Sequence, residues 1–308
     1  MQNLNSSAAQ AALEHITHIY TDLDGTLLAP GGKLLTNHNG KPSLSLANAL
    51  VQLKRLGMEI VIVTGRDAAS CTEIMRLTNL NQFIAEMGCI VQYGYGANVQ
   101  KSYRLGAWSG AQLDQDFDHE TTLTPYEMIA NSDTLSKLLS HFKGKLEIHT
   151  LKGGHREVTF LMRGSVDTTP GGEVEQVLSE CEIPLQLLDN GVIHPQNHGL
   201  LEVDAVHVYH LMPRGTGKGE AVAADMAEKG LTPKQTLSIG DAEGDISMGV
   251  HTGSFVLVND HKKPGPNKYA EATVANPEAL FTTSLPTADG WVEFAHALLA
   301  AKEGQSQP

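Results

Sequence analysis

The chain has 308 residues, 41% of them hydrophobic, and a formal net charge of −13. This length exceeds that of a typical single domain, so we expect either one large domain or two of ordinary size. The acidic balance argues against a nucleic-acid-binding surface, which needs basic patches, and no apolar run approaches the length of a membrane-spanning helix. We therefore expect neither nucleic acid nor a membrane as a partner.

The three cysteines, Cys71, Cys89 and Cys181, are widely spaced and odd in number. They match neither a disulfide framework nor a cysteine metal site. Residues 1–14 are polar and lack the basic start and apolar stretch of a secretory signal. These features predict a reduced, cytoplasmic setting.

The first third of the chain alternates strand and helix patterns. Continuous apolar, β-branched runs predict strands at 16–20, 58–63 and 82–85. Apolar residues at helical spacing predict helices at 44–56 and 67–77. Alternation with short connections predicts an α/β fold, a doubly wound and mainly parallel sheet.

The pattern changes after residue 88 and returns to its first form after residue 207. The middle block has two helical segments and several short strands, with Asp189-Asn190-Gly191 as a hairpin-type turn between strands at 185–188 and 200–203. Helices at 219–229 and 291–301 and strands at 236–239 and 255–258 follow. The predicted domains are a core formed by 14–88 and 208–302, an inserted α+β cap at 89–207, and flexible tails at 1–13 and 303–308.

The most informative motif follows the first predicted strand. Asp22 and Asp24 stand one residue apart, and Gly25-Thr26 comes directly after them. The Gly25 turn can bring the second carboxylate back over the strand end, where two such groups repel each other unless a cation or a reaction uses them. Mg²⁺, which prefers oxygen ligands, is the cation that this pair predicts.

Further polar clusters fall at strand ends or at a helix start. Thr64-Gly65-Arg66 follows the second strand, Lys218 precedes a helix, and Asp241 and Asp245 follow a later strand. Each has an ordinary structural explanation, namely a strand end, a loop lysine, or a helix cap with a first-turn acid. Because ligands bind outside the carboxyl ends of parallel strands, the set together predicts one site, suited to phosphoryl transfer to an aspartate.

The order of these motifs resembles that of a known family. The sequence is similar to the haloacid dehalogenase (HAD) superfamily of phosphohydrolases, and the long insert resembles the C2-type cap of its Cof-like and sugar-phosphatase branch. The residues that carry the resemblance are Tyr20-Thr21-Asp22-Leu23-Asp24-Gly25-Thr26, Val63-Thr64-Gly65-Arg66, Lys218, and Gly240-Asp241-Ala242-Glu243-Gly244-Asp245.

The resemblance implies a role for each acid. Asp22 would be the nucleophile, and Asp24 would protonate the leaving oxygen and then activate water. Mg²⁺ would be held by Asp22, Asp241 and the backbone carbonyl of Asp24, with Asp245 as a ligand or a support for the ligands.

The resemblance also implies the groups that hold the phosphate. Thr64 and Lys218 would contact its oxygens, helped by the backbone N–H groups of Leu23 and Gly65. Two positions depart from the family pattern, since Gly244 and Met87 stand where relatives often carry Asn. Contacts to substrate drawn from close relatives are therefore not transferred.

The histidines form no recognisable zinc pattern. His207 and His210 have a spacing that a metal could use, but no acidic or cysteine partner accompanies them. Structural roles are predicted for both, on a strand that returns to the core. Arg156, on a predicted cap strand, is left without a role.

The leading hypothesis is a Mg²⁺-dependent phosphatase that acts on a small phosphorylated metabolite, with sugar phosphates as the expected class. A phosphomutase would use the same chemistry but return the phosphoryl group to substrate. A signalling switch of the receiver type would also form an aspartyl-phosphate. Asp24 and the large insert oppose this last alternative, because a slow switch needs neither.

Overall fold

Thirteen strands can be assigned in the parts of the chain that the computed structural model describes, which are residues 1–4, 6–108, 123–149, 154–195, 198–201, 203–259, 270–271 and 273–303. The strands are β1 Gln2–Asn3, β2 His18–Thr21, β3 Glu59–Val63, β4 Gln82–Ala85, β5 Ile90–Tyr93, β6 Gln100–Tyr103, β7 Leu146–Ile148, β8 Phe160–Gly164, β9 Leu185–Ile193, β10 Val206–Pro213, β11 Thr236–Gly240, β12 Ser254–Leu257 and β13 Leu280–Thr282.

The helices in the same described ranges vary from 4 to 17 residues. They are α1 Ser7–Leu13, α2 Ser45–Arg55, α3 Ala68–Thr78, α4 Pro125–Asn131, α5 Thr134–His141, α6 Glu173–Ser179, α7 Lys218–Glu228, α8 Glu243–Ile246 and α9 Thr287–Glu303. A search of the described residues finds no helix long and apolar enough to cross a membrane.

Nine strands form one large sheet, here called the core sheet, in the order β1-β13-β12-β11-β2-β3-β4-β5-β6. Neighbours from β1 to β4 run parallel, whereas β5 and β6 are antiparallel to their neighbours. Helices cover both faces: α2 and α9 pack on one side, and α7 packs on the other. The predicted doubly wound, mainly parallel α/β fold is confirmed.

Local sequence explains why these elements form. Residues 60–63 of β3 are all buried, as their continuous apolar run predicts for a strand covered on both faces. The buried positions of α2, which are Leu46, Ala49, Leu50 and Leu53, recur at helical spacing. The positive side chains of Lys54 and Arg55 lie in the last turn, where they interact favourably with the negative end of the helix dipole.

The remaining four strands form a second, antiparallel sheet in the order β7-β8-β10-β9, here called the cap sheet. Its outer face packs on α4, α5 and α6 around a separate apolar cluster that includes Leu138, Phe160, Leu178 and Tyr209. The other face of β9 and β10 turns towards the end of the core sheet.

Several predicted boundaries differ from the strand pairing. The insert was predicted to begin at residue 89, but β5 and β6 extend the core sheet by pairing next to β4. It was predicted to end at residue 207, but β10 belongs to the cap sheet through Pro213. Long-range pairing, which local patterns do not encode, sets these limits.

Two further predictions are wrong. Asp189-Asn190-Gly191 lies within β9 rather than in a turn between two strands. β9 pairs with β10 on both sides of an irregularity at which Asn190 and Gly191 stand opposite Val208. The first thirteen residues are not a loose tail, since β1 pairs with β13 and Leu13 of α1 is fully buried. Residues 304–308 of the predicted C-terminal tail lie outside the described residues.

A buried polar network holds α7 against the core sheet. The Asp225 carboxylate accepts hydrogen bonds from the Tyr20 hydroxyl at 2.7 Å, the Gln82 amide at 2.5 Å and the Lys229 ammonium at 2.8 Å. Buried polar groups are costly unless they are paired, so this network fixes the position of the helix. The helix begins with Lys218, a predicted site residue.

Candidate active site

The predicted site residues converge at one edge of the core sheet. β11, β2 and β3 are neighbours, and their carboxyl ends carry Asp241, Asp22 and Thr64. The Asp22 N–H still donates to the Ile239 carbonyl at 3.0 Å, so the sheet ladder fixes the backbone from which this carboxylate projects. Convergence follows from parallel strands that end at the same edge.

Lys218 connects the parts of the site. Its ammonium donates to Asp22 Oδ1 at 2.7 Å and to Asp245 Oδ1 at 2.6 Å, and all three side chains are at least 92% buried. Charge-assisted hydrogen bonds of this kind are short and strongly oriented. These two bonds hold the Asp22 carboxylate, which follows β2, and the Asp245 carboxylate of α8 against the Lys218 ammonium of α7.

The electrostatics of the cluster show an excess of negative charge. Burial raises the pKa of Asp22 well above its ordinary value, and repulsion from Asp245 and Asp241 adds to this while Lys218 opposes it. Burial alone would lower the pKa of Lys218, but Asp22 and Asp245 more than offset it and raise that pKa. The lysine therefore stays charged, and the carboxylates need further positive charge.

The donor set fits a divalent cation. One oxygen from each of Asp22, Asp241 and Asp245 lies within 4.8 Å of the others. Asp245 Oδ2 also accepts the N–H groups of Asp241 and Ala242, at 3.1 and 3.0 Å, which orients the loop after β11. Three carboxylates facing one ammonium leave an unbalanced anionic site, and oxygen ligands of this type suit Mg²⁺ and similar hard cations.

Asp24 occupies a different position from its neighbour. Its carboxylate forms a two-pronged ion pair with Arg66, at 2.6 Å from Nε and 2.5 Å from Nη2, and the side chain is 53% exposed. The three-carboxylate cluster is thus formed without the Asp24 side chain. Metal binding through its backbone carbonyl stays a prediction.

The predicted phosphate-binding residues lie around the buried cluster. Thr64 is 2% exposed, and its hydroxyl oxygen accepts the Arg66 N–H at 3.3 Å. Gly65 follows at the cavity floor, while the Leu23 side chain is fully buried in the core. Phosphate contacts from Thr64, Lys218 and the N–H groups of Leu23 and Gly65 stay predictions.

A cavity of about 820 Å³ opens above these residues. Its floor comes from the core sheet, and its roof includes Arg156, Leu161 and the β9 and β10 side chains Asn190, Val208 and His210. No role is predicted for Arg156 from the sequence, and the role predicted for His210 is structural. The alternation of side chains along β10 was the available signal, because it places Val208 and His210 on the same face.

The roof is tied to the floor through a buried carboxylate. Glu86, at the end of β4, accepts the N–H groups of Glu157, Val158 and Thr159 at 2.7 to 3.1 Å. It is fully buried, and burial raises its pKa although Arg156 and these N–H groups oppose the shift. The loop before β8 is therefore fixed directly beside residues 64–66.

Comparison with known proteins agrees with this geometry. Residues 19–105 match the model of the haloacid dehalogenase-like hydrolases. The chain is 22% identical over 245 residues to a phosphoglycolate phosphatase of Methanoculleus marisnigri, covering 79% of this chain and 83% of that protein. The fold is similar to that of the sucrose-phosphatase from Synechocystis sp. PCC6803, which was solved with sucrose and phosphate. The TM-score is 0.56 at 17% sequence identity, and the match covers 92% of this chain and 98% of that chain.

A third relative is a chloroplast protein of Arabidopsis thaliana named endoribonuclease YBEY. It is 27% identical over 260 residues, and the match covers 75% of this chain but 39% of that protein, so the chain spans about two fifths of its length. Fold, site and comparisons agree: the chain resembles the haloacid dehalogenase-like hydrolases, whose model its residues 19–105 match. The comparisons support the prediction of an enzyme of the phosphatase type, and the resemblance predicted from its motifs is confirmed.

Gly25 provides a test of the carboxylate cluster. Its φ is +90°, and a Cβ there would lie 2.4 Å from Asp241 Oδ2. We expect Mg²⁺ to raise the Tm of the wild-type protein, and we expect Gly25→Ala to displace this ligand and abolish that rise, because only a bound cation stabilises the folded state.

Gly40→Ala is the matched control. Gly40 has a similar φ of +75°, but no heavy atom lies within 4 Å of the added Cβ. This variant should lose about 1 kcal/mol of stability to backbone strain and keep the Mg²⁺-dependent shift. An equal Mg²⁺ response in both variants would contradict the cluster as the cation site.

Proposed function

We propose that the protein is a Mg²⁺-dependent phosphohydrolase that cleaves small phosphorylated metabolites, with sugar phosphates as the substrate class, through an aspartyl-phosphate on Asp22. The observation that carries this proposal is the burial of Asp22 between Lys218 and two further carboxylates at the floor of a cavity. An oriented carboxylate next to a fixed ammonium is equipped to attack phosphorus. The free cysteines support a cytoplasmic location, as a reducing compartment keeps them reduced.

Asp22, Asp241 and Asp245 would hold the cation. When bound, a divalent ion offsets the repulsion between the Asp22 carboxylate and the phosphate of the substrate. Lys218 contributes positive charge of its own and keeps Asp22 in one orientation. Thr64, buried at the end of β3, supplies a hydroxyl beside the same floor.

The chain's own groups account for both halves of the reaction. Asp22 forms a bond to phosphorus while the ester P–O bond breaks, and Asp24 gives a proton to the departing oxygen. A water molecule then attacks phosphorus, Asp24 takes a proton from it, and the Asp22–phosphorus bond breaks. Before the first step Asp24 must leave its contacts with Arg66 and be protonated, and the proton that it takes from water in the second step restores this form.

The shape of the site supports a metabolite-sized substrate. A cavity of about 820 Å³ lies within the usual range for small-molecule sites. Among the relatives, one is named a phosphoglycolate phosphatase and another a sucrose-phosphatase, so both names describe phosphatases. A receiver-type switch has no use for a second sheet closed over its aspartate, whereas an enzyme uses it to exclude water and select substrate.

Release of phosphate from p-nitrophenyl phosphate tests the proposed function. The wild-type protein should turn over many times with Mg²⁺, stop when EDTA removes the metal, and recover when Mg²⁺ is restored. Asp22→Asn should lower kcat by more than about 1,000-fold, because it removes the nucleophile. A single stoichiometric phosphorylation without turnover would instead indicate a switch, and near-wild-type activity of Asp22→Asn would show that another group attacks.

The role of Asp24 is tested with two leaving groups. Asp24→Asn should slow hydrolysis of an alkyl phosphate by about 100- to 10,000-fold, because a poor leaving group needs the proton. Release of p-nitrophenolate in the first step should be slowed much less, which a burst of p-nitrophenolate before a slow steady rate would reveal. Equal slowing of the alkyl ester and of the burst would contradict the general acid role.

A further inference from the structure

The roof of the cavity brings two polar side chains close to the predicted phosphate loop. The position of a Cβ at Gly65 would lie 3.0 Å from Asn190 Nδ2 and 3.1 Å from His210 Nε2. These two side chains come from neighbouring strands of the cap sheet, and both line the cavity. A group of the substrate within a few bonds of the phosphorus would therefore meet them.

The contacts of His210 determine which of its nitrogens carries the proton. Its Nδ1 lies 3.3 Å from Thr159 Oγ1, and the Thr159 hydroxyl donates its only hydrogen to Glu86 at 3.0 Å. Thr159 Oγ1 can thus only accept from the imidazole, so Nδ1 carries the hydrogen. The ring is buried, and burial together with Arg156 and Lys218 lowers the pKa of His210 well below its ordinary value. The neutral ring presents the lone pair of Nε2 to the cavity.

Asn190 complements this acceptor. Its Nδ2 is 3.5 Å from His210 Nε2, at the outer limit of a hydrogen bond, so the direct contact between the two is weak. A hydroxyl group placed between them could donate to Nε2 and accept from Nδ2. Hydroxyls have both capacities, whereas a carboxylate can only accept.

The cations of the cavity are already engaged. Each lysine and arginine among the described lining residues has protein partners: Lys218 has two carboxylates, Arg66 has Asp24, and Arg156 donates to the Gly65 carbonyl and to Thr159 Oγ1. A substrate that carries a carboxylate in addition to its phosphate would thus need a cation that already has protein partners. The roof favours neutral, hydroxyl-bearing substrates.

We propose that His210 and Asn190 form a subsite that binds a hydroxyl group close to the phosphoester, so that the enzyme prefers phosphorylated polyols and sugars over phosphorylated carboxylic acids. The inference rests on the proposed function and adds to it the residues that choose the substrate. His210 acts on binding and on positioning, while the chemical step belongs to Asp22 and Asp24.

Three small phosphate esters with different neighbouring groups test this subsite. Glycerol 1-phosphate carries hydroxyls near the phosphate, propyl phosphate lacks them, and phosphoglycolate carries a carboxylate. The wild-type enzyme should show a kcat/KM for glycerol 1-phosphate that is about 10- to 100-fold higher than for the other two. A wild-type preference for phosphoglycolate or for propyl phosphate would overturn the inference.

His210→Phe removes the acceptor and keeps a ring of similar size, and Asn190→Leu is a second variant on the neighbouring strand. Each should reduce the ratio of kcat/KM for glycerol 1-phosphate over propyl phosphate towards one. His210→Gln should restore part of that ratio, because the glutamine amide again offers an acceptor. A merely structural role would lower both values of kcat/KM together and leave the ratio unchanged, which would overturn the inference.

His207→Phe is the matched control, since His207 lies on the same strand but pairs with Asp189 at 2.7 Å. It should leave the ratio at its wild-type value, and a loss equal to that of His210→Phe would contradict a specific subsite. Failure of the proposed function would look different, because none of the esters, p-nitrophenyl phosphate included, would then be hydrolysed. That result would overturn both proposals, whereas turnover without a hydroxyl preference would overturn this one alone.

Discussion

The active-site geometry depends on one buried ammonium group. Lys218 stands at the start of α7 and joins Asp22, after β2, to Asp245, on α8. Two carboxylates and an ammonium lose much of their hydration in this position, so their mutual hydrogen bonds must compensate for it, and removal of any one partner leaves a buried charge unpaired. The Asp225 network that seats α7 thereby also determines where the ammonium lies. Core packing and site geometry are therefore coupled through one helix.

A second constraint sets the roof over this floor. Glu86 follows β4 of the core sheet and accepts three consecutive backbone N–H groups from the loop that leads into β8 of the cap sheet. The same loop carries Thr159, whose hydroxyl orients His210. The position of the roof side chains relative to residues 64–66 is thus determined by hydrogen bonds between the two sheets.

Much of the core and of the floor was predictable from sequence, because the runs that form β2, β3, β4 and β11 are local patterns and parallel strands end at a common edge. The roof was not. Asp189-Asn190-Gly191 has the composition of a turn, yet it lies inside β9, where Asp189 pairs with Tyr209 and the next two residues stand at an irregularity opposite Val208. The ion pair of Asp24 with Arg66 and the placement of His210 over Gly65 depend on side-chain direction and on docking of the sheets, which spacing along the chain does not encode.

The most direct test of the account asks which atom receives the phosphoryl group. The enzyme would be quenched in acid during turnover of p-nitrophenyl phosphate with Mg²⁺, reduced with borohydride, and digested for mass spectrometry, since reduction of an acyl phosphate converts an aspartate to homoserine. The account predicts that this conversion occurs at Asp22 and requires both substrate and Mg²⁺. Conversion at Asp24 or at another carboxylate would contradict the assignment of the nucleophile.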